Sequence, residues 1–131
     1  ANSIQPNKRM LSSMTPTIIL KDNKPFMILG SPGGGKIITT VFLTILNVID
    51  FNMSLNEAID SPRFHHQWLP EYLQYESGSL DSELISILVS KGHDLKQVSD
   101  FGRVDAILID WDKHTYFGHS DRRGYGKAIG Y

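Results

Sequence analysis

Residues 30–36 read Gly-Ser-Pro-Gly-Gly-Gly-Lys and lie between two apolar runs, Phe26 to Leu29 and Ile37 to Ile49. Three consecutive glycines bring no side chain to bury. They open backbone conformations closed to other residues and let an atom approach the amides closely. The run before them predicts a strand and the run after them a helix. A glycine turn between the two aims free N–H groups at one place, which suits an anion or an oxygen that becomes negative during a reaction.

The loop alone leaves three readings open. Gly30 to Lys36 fits the phosphate-loop spacing G-x-x-x-x-G-K, and Lys36 would reach a phosphate. The Ser or Thr that should follow to hold magnesium is replaced by Ile37, Thr39 and Thr40 are out of register, and Pro32 removes one amide. An oxyanion hole needs only two convergent amides and no cation. The third reading is a tight strand-to-helix connection with no ligand.

The rest of the chain predicts strands and helices in about equal measure, and so a layered α/β or α+β arrangement. The first ten residues read as a polar arm. Thr17 to Lys21 and Pro25 to Leu29 read as two strands of a hairpin turning at Asp22, Asn23 and Lys24. Residues 36–51 read as a helix that is apolar almost all round, which predicts burial. Ser54 and Glu57 form a capping box that starts a short helix stopped by Pro62. Leu73 to Glu76 reads as a short strand. Leu80, Leu84, Ile87 and Leu88 make one helical face closed by Gly92. Arg103 to Asp110 alternates as a strand, with Thr115 to Phe117 as its hairpin partner.

At 131 residues the chain is long enough for one core. A net charge of −1 gives no electrostatic case for nucleic acid or an anionic membrane. With no cysteine there is neither a disulfide nor a thiolate metal site. The apolar run from Ile37 to Ile49 is too short to span a bilayer. No cofactor motif other than the loop is present.

Three further segments turn these pieces into a pattern. They are Lys8 to Thr17, Ser61 to Glu71 with its P-R-F-H-H-Q-W-L-P, and His119 to Arg122. Taken in order with the loop, they resemble the C-terminal part of the small subunit of γ-glutamyltranspeptidases. The family pattern reads K-R-P-L-S-S-M, G-S-P-G-G, P-R-F-H-H-Q-W-L-P and S-D-P-R. The resemblance runs from about Asn7 to Arg122. Met10 stands where the family has proline, Gly35 where it has Ser or Thr, and Arg122 where S-D-P-R has its proline.

The resemblance implies an α+β fold forming part of the four-layer αββα sandwich of N-terminal nucleophile hydrolases. It implies acyl transfer from a γ-glutamyl amide, such as glutathione, to water or an amino acid. Gly33 and Gly34 match the pair whose amides hold the oxyanion. Ser12 and Ser13 match the serines that hold the α-carboxylate of the glutamyl group. Read without the family, that Ser-Ser is a turn or a helix cap. The family nucleophile is an N-terminal threonine freed by self-cleavage, in a T-T-H segment well before L-S-S-M. Thr39 and Thr40, inside the helical run, are no substitute. The 131 residues are therefore expected to be one segment of an enzyme, inactive alone, whose partners are the upstream part of the small subunit and the large subunit. The resemblance also implies a periplasmic or secreted location, and no metal or cofactor.

The remaining polar residues read as structural. His65 and His66 point to opposite faces of an extended segment and chelate poorly as a pair. Arg63 is expected to pair with a carboxylate such as Asp60 or Glu71. Trp68 and Trp111 are expected in core or interface. His119 and Asp121 invite a triad, but no G-x-S-x-G elbow accompanies them.

Overall fold

The computed structural model describes residues 3–9 and 14–130. Strands β1 (Thr17–Lys21) and β2 (Lys24–Gly30) form the expected hairpin. Its turn works because Asp22 and Asn23 both take positive φ, at 52° and 60°, which short polar side chains tolerate best. The glycine loop follows, closing in a short 3-10 turn at Gly34–Lys36 that runs straight into α1 (Ile37–Ile49). Helix α2 (Leu55–Asp60) begins at Ser54 with the full capping box: the Ser54 N–H donates to the Glu57 carboxylate. β3 (Phe64–His65), β4 (Leu73–Glu76), α3 (Ser82–Ser90) and β5 (Leu95–Val98) come next. β6 (Asp105–Asp110) and β7 (Thr115–Ser120) close the chain.

These strands make two sheets. β1-β2-β6-β7 is antiparallel throughout, with Met27 opposite Leu108 and Leu29 opposite Ala106. β3-β4-β5 pairs β4 with β5 in parallel, so α3 is the crossover between them. Two of these strands, β3 and β5, are not predicted by the sequence. Gly92, at φ 86°, closes α3 as expected.

The core lies between the four-stranded sheet and the two helices after the loop. Met27, Leu29 and Ala106 from the sheet pack on Ile37, Val41 and Val48 of α1 and on Leu55, Ala58 and Ile59 of α2. One helix layer on one sheet layer is the α+β arrangement expected. Helix α1 differs from expectation in being buried on one side only. Ile37, Thr40, Val41, Thr44 and Val48 face inward. Ile38, Phe42 and Ile49 are exposed. Its buried threonines are satisfied within the helix: Thr40 Oγ1 donates to Lys36 O at 2.8 Å and Thr44 Oγ1 to Thr40 O at 3.0 Å.

The opposite sheet face is also bare. Ile18, Ile28 and Ile107 sit side by side across β1, β2 and β6, and all three are exposed. Apolar faces of this kind seek cover. Expressed alone, the chain should therefore self-associate, exchange elements or bind a hydrophobic dye while keeping its secondary structure. A compact, dye-silent monomer by sedimentation would show instead that the segment is self-sufficient.

Candidate active site

The loop is built from the strand end inward. Gly30 ends β2, and the Ser31 N–H donates to Met14 O at 3.1 Å. Ser12 and Ser13, the predicted carboxylate-binding pair, lie outside the described residues.

Gly33 and Gly34 take φ of 145° and 59°, conformations that favour glycine. Among the described residues neither N–H finds a hydrogen-bond partner, whereas the Gly33 carbonyl accepts from Lys36 N at 3.3 Å. Both glycines are exposed, and a Cβ on Gly34 would meet nothing within 4 Å. Two adjacent amides with no partner among the described residues therefore sit in an exposed turn at the head of α1, where the helix end favours negative charge.

A rigid floor lies beneath them. Gly102, at φ 70°, packs its backbone against Gly33, and a Cβ on Gly102 would strike the Thr40 side chain at 2.6 Å. The floor segment is pinned on all sides. Phe101 N donates to Glu76 Oε1 at 2.9 Å, Phe101 O accepts from Arg63 Nη1 at 2.9 Å, and Val104 N donates to Asp121 Oδ2 at 3.0 Å. Lys36, the lysine of the phosphate-loop spacing, places its ammonium 4.8 Å over the Phe101 ring. That contact gives it a partner other than a phosphate.

Arg63 pairs with a carboxylate as expected, but one more distant in sequence than the two named. Arg63 pairs with neither Asp60 nor Glu71 but with Asp121, at 2.6 Å. Asp60 instead holds His119 at 3.0 Å. Arg123 joins Asp121 at 3.0 Å and Glu76 at 2.5 Å, making a buried cluster of two cations and two carboxylates. Burial lowers the Arg63 pKa from its ordinary value, with Asp121 opposing. Burial alone would raise the Asp121 carboxyl. The amides of Val104 and Arg123 and the Arg63 guanidinium outweigh it and hold that carboxyl below the usual range. The Arg123 pKa is raised, because Glu76 and Asp121 outweigh its burial.

His65 is buried, and both ring nitrogens are engaged, with Thr39 Oγ1 at 2.8 Å and Gln67 Oε1 at 3.0 Å. It ties the first turn of α1 to the 65–69 segment. His66 Nδ1 accepts from Trp68 N. Trp68 is mostly exposed, while Trp111 Nε1 donates to Pro25 O at 2.7 Å. His119 and Asp121 engage different partners, Asp60 and Arg63, and form no triad. Among the described residues no group of three His, Asp or Glu side chains could hold a metal ion, and no helix is long and apolar enough to cross a membrane.

The pattern of residues and this geometry meet in one family. The family model described as gamma-glutamyltranspeptidase matches residues 1–131. The chain belongs to the gamma-glutamyltranspeptidase family. It is 44% identical over 123 residues to a glutathione hydrolase proenzyme of Escherichia coli, covering 94% of this chain and 21% of that relative. It is 43% identical over 140 residues to one from a Pseudomonas species, covering 100% of this chain and 24% of the relative. The chain thus spans about a fifth to a quarter of the length of these curated relatives. A solved gamma-glutamyltranspeptidase of Helicobacter pylori superposes with a TM-score of 0.84 at 44% identity, over 92% of this chain and 66% of that one. A transpeptidase of Bacillus anthracis superposes with a TM-score of 0.81 at 28% identity, over 98% and 77%. The α+β layers described above are accordingly those of a gamma-glutamyltranspeptidase.

The sequence points to the paired glycines but not to what braces them. Ser31, Gly102, Glu76 and Asp121 carry no motif of their own. The only signal was that Ser31 lies inside the glycine loop and Asp121 inside the last family segment.

Proposed function

We propose that this chain is the C-terminal part of the small subunit of an enzyme that hydrolyses or transfers γ-glutamyl groups, with glutathione as the type of donor and water or an amino acid as acceptor. The observation that carries the reading is the pair of Gly33 and Gly34 amides at the head of α1, without partners among the described residues and set on a braced floor. When a nucleophile attacks the γ-carbonyl, its oxygen gains charge, and two fixed amides stabilise that charge without reorganising. The nucleophile is an N-terminal threonine on a preceding segment, forming a threonyl-acyl intermediate that the acceptor then cleaves. The remaining parts of the precursor cover the bare faces of the sheet and of α1. A periplasmic or secreted location belongs to the same proposal and rests on the family.

Ser12 and Ser13 are the proposed hold on the α-carboxylate. Small hydroxyls donate to a carboxylate without adding charge. The test uses the complete, processed protein and a γ-glutamyl anilide. It should turn the anilide over, while the 131-residue chain alone should not; turnover by the purified chain alone would refute the placement of the nucleophile elsewhere.

Alanine at Ser12 or Ser13 should weaken binding of the donor by about 1–3 kcal/mol, the usual worth of a hydrogen bond to a charged group. The loss should shrink for a donor whose α-carboxylate is amidated. Equal losses for acid and amide would mean that these hydroxyls never touch the carboxylate.

A further inference from the structure

Ser31 is wholly buried, and its hydroxyl does two things at once. It accepts from the Arg103 N–H at 3.0 Å and donates to the Pro32 carbonyl at 2.7 Å. The first bond settles the second. A backbone N–H can only donate, so the single hydroxyl proton is free to point at Pro32 O.

That carbonyl belongs to the peptide unit whose other end is the Gly33 N–H. The unit is planar and trans, so its C=O and N–H point in opposite directions and turn together. The bond from Ser31 therefore sets where the Gly33 N–H points. It also draws electron density towards the carbonyl oxygen, and hydrogen-bonded amides polarise in series, making the N–H a stronger donor. The restraint matters most here because φ of Gly33 is 145°, in a region where glycine has no side chain to hold the plane.

We infer that Ser31 is a positioning residue of the reaction: its hydroxyl locks and polarises the Pro32–Gly33 peptide so that the Gly33 N–H faces the developing oxyanion. The Arg103 amide keeps the hydroxyl in place, and Gly102 beside it leaves room for the loop to sit down. The inference rests on the acyl-transfer reading above. It adds a residue that touches neither substrate nor nucleophile.

The test uses the complete, processed protein with Ser31→Ala, Ser31→Cys and Ser31→Thr, assayed on a γ-glutamyl anilide. A misdirected oxyanion donor should lower kcat about 10- to 100-fold in Ser31→Ala. KM should stay within about twofold, because the donor acts on the transition state rather than on the bound substrate. Ser31→Thr keeps the hydroxyl and should keep kcat within about threefold, whereas Ser31→Cys, a weak donor of similar size, should fall with alanine. A purely structural serine would instead lose folded protein in proportion to activity, with no such split.

Wild-type protein inert towards γ-glutamyl substrates would end the acyl-transfer reading, and the inference with it. An active wild type with unchanged kcat in folded Ser31→Ala would overturn the inference alone, as would an equal loss in Ser31→Thr. If Ser31→Ala does not fold, the other pair decides: full kcat in Ser31→Cys overturns the inference, and a loss restored by threonine supports it.

Discussion

Gly34→Val in the complete protein should lower kcat on a γ-glutamyl anilide by about 10²–10³-fold, the usual cost of one oxyanion donor. No packing clash explains that loss, since a Cβ on Gly34 meets nothing within 4 Å. Two other effects do. Valine resists φ near 59°, so the backbone leaves the geometry that aims the amide. The new side chain also stands in the open space that the acyl group would occupy. The stability cost should be only about 1–3 kcal/mol, that of one residue held in a strained conformation.

Melting and rate should therefore part company. Gly33→Val is a poorer test, because φ of 145° is strained for valine and its Cβ, unlike that of Gly34, would already touch Gly102 and Ile37 at 3.7 Å. A folded Gly34→Val protein with normal kcat would make the loop architectural only.

What the residues foretold follows from how far apart the deciding groups lie. The β1–β2 hairpin, the capping box on α2 and the close of α3 at Gly92 each depend on residues a few positions apart, and each is present as read. The glycine loop is equally local, because positive φ singles out its residues.

The parallel partner of β4 is different. β5 holds its place by pairing with a strand on the far side of α3, and Leu95 to Val98 carries little alternation of its own. The same holds for Arg63. Asp60 and Glu71 are its near neighbours in sequence, yet its partner is Asp121, 58 residues away. Burial decided this: Asp121 is brought beneath the floor segment by β7, while Asp60 stays near the surface with His119.

Ser31 was illegible for another reason. Serine hydroxyls bond wherever a backbone group is near, and Arg103 came near only through the pairing of β2 with β6. Helix α1 shows the reverse case. Its all-round apolar pattern predicts full burial, and the side that this chain leaves open is the one that needs a neighbour.

Removing Arg63 should produce the largest loss of stability. Its guanidinium is buried and reaches Asp121 Oδ2 at 2.6 Å, Ile59 O at 2.7 Å and Phe101 O at 2.9 Å. Alanine there would remove the donor to Phe101 O and leave the buried Asp121 and Ile59 O with Arg123 as their remaining cationic partner, at a cost of about 3–5 kcal/mol. Arg63→Lys should recover little, since an ammonium cannot span three acceptors set out for a planar fork.

The pH dependence follows from Asp121. Its folded pKa is depressed, so its contribution is present above the ordinary carboxylate pKa of about 4 and is lost as pH falls through the folded value. This group should leave melting flat between about pH 6 and 8, with its loss confined to the acid side of about pH 4. In Arg63→Ala one of the influences holding that carboxyl down is gone. The acid limb should then be shallower and end at a higher pH, its onset staying near pH 4, on top of the uniform loss. Because Arg63 also anchors Phe101, beside the Gly102 floor of the loop, activity should fall at temperatures below the melting point of the variant. Melting and acid limb both unchanged in Arg63→Ala would show that Arg123 alone suffices to hold Asp121 and the floor.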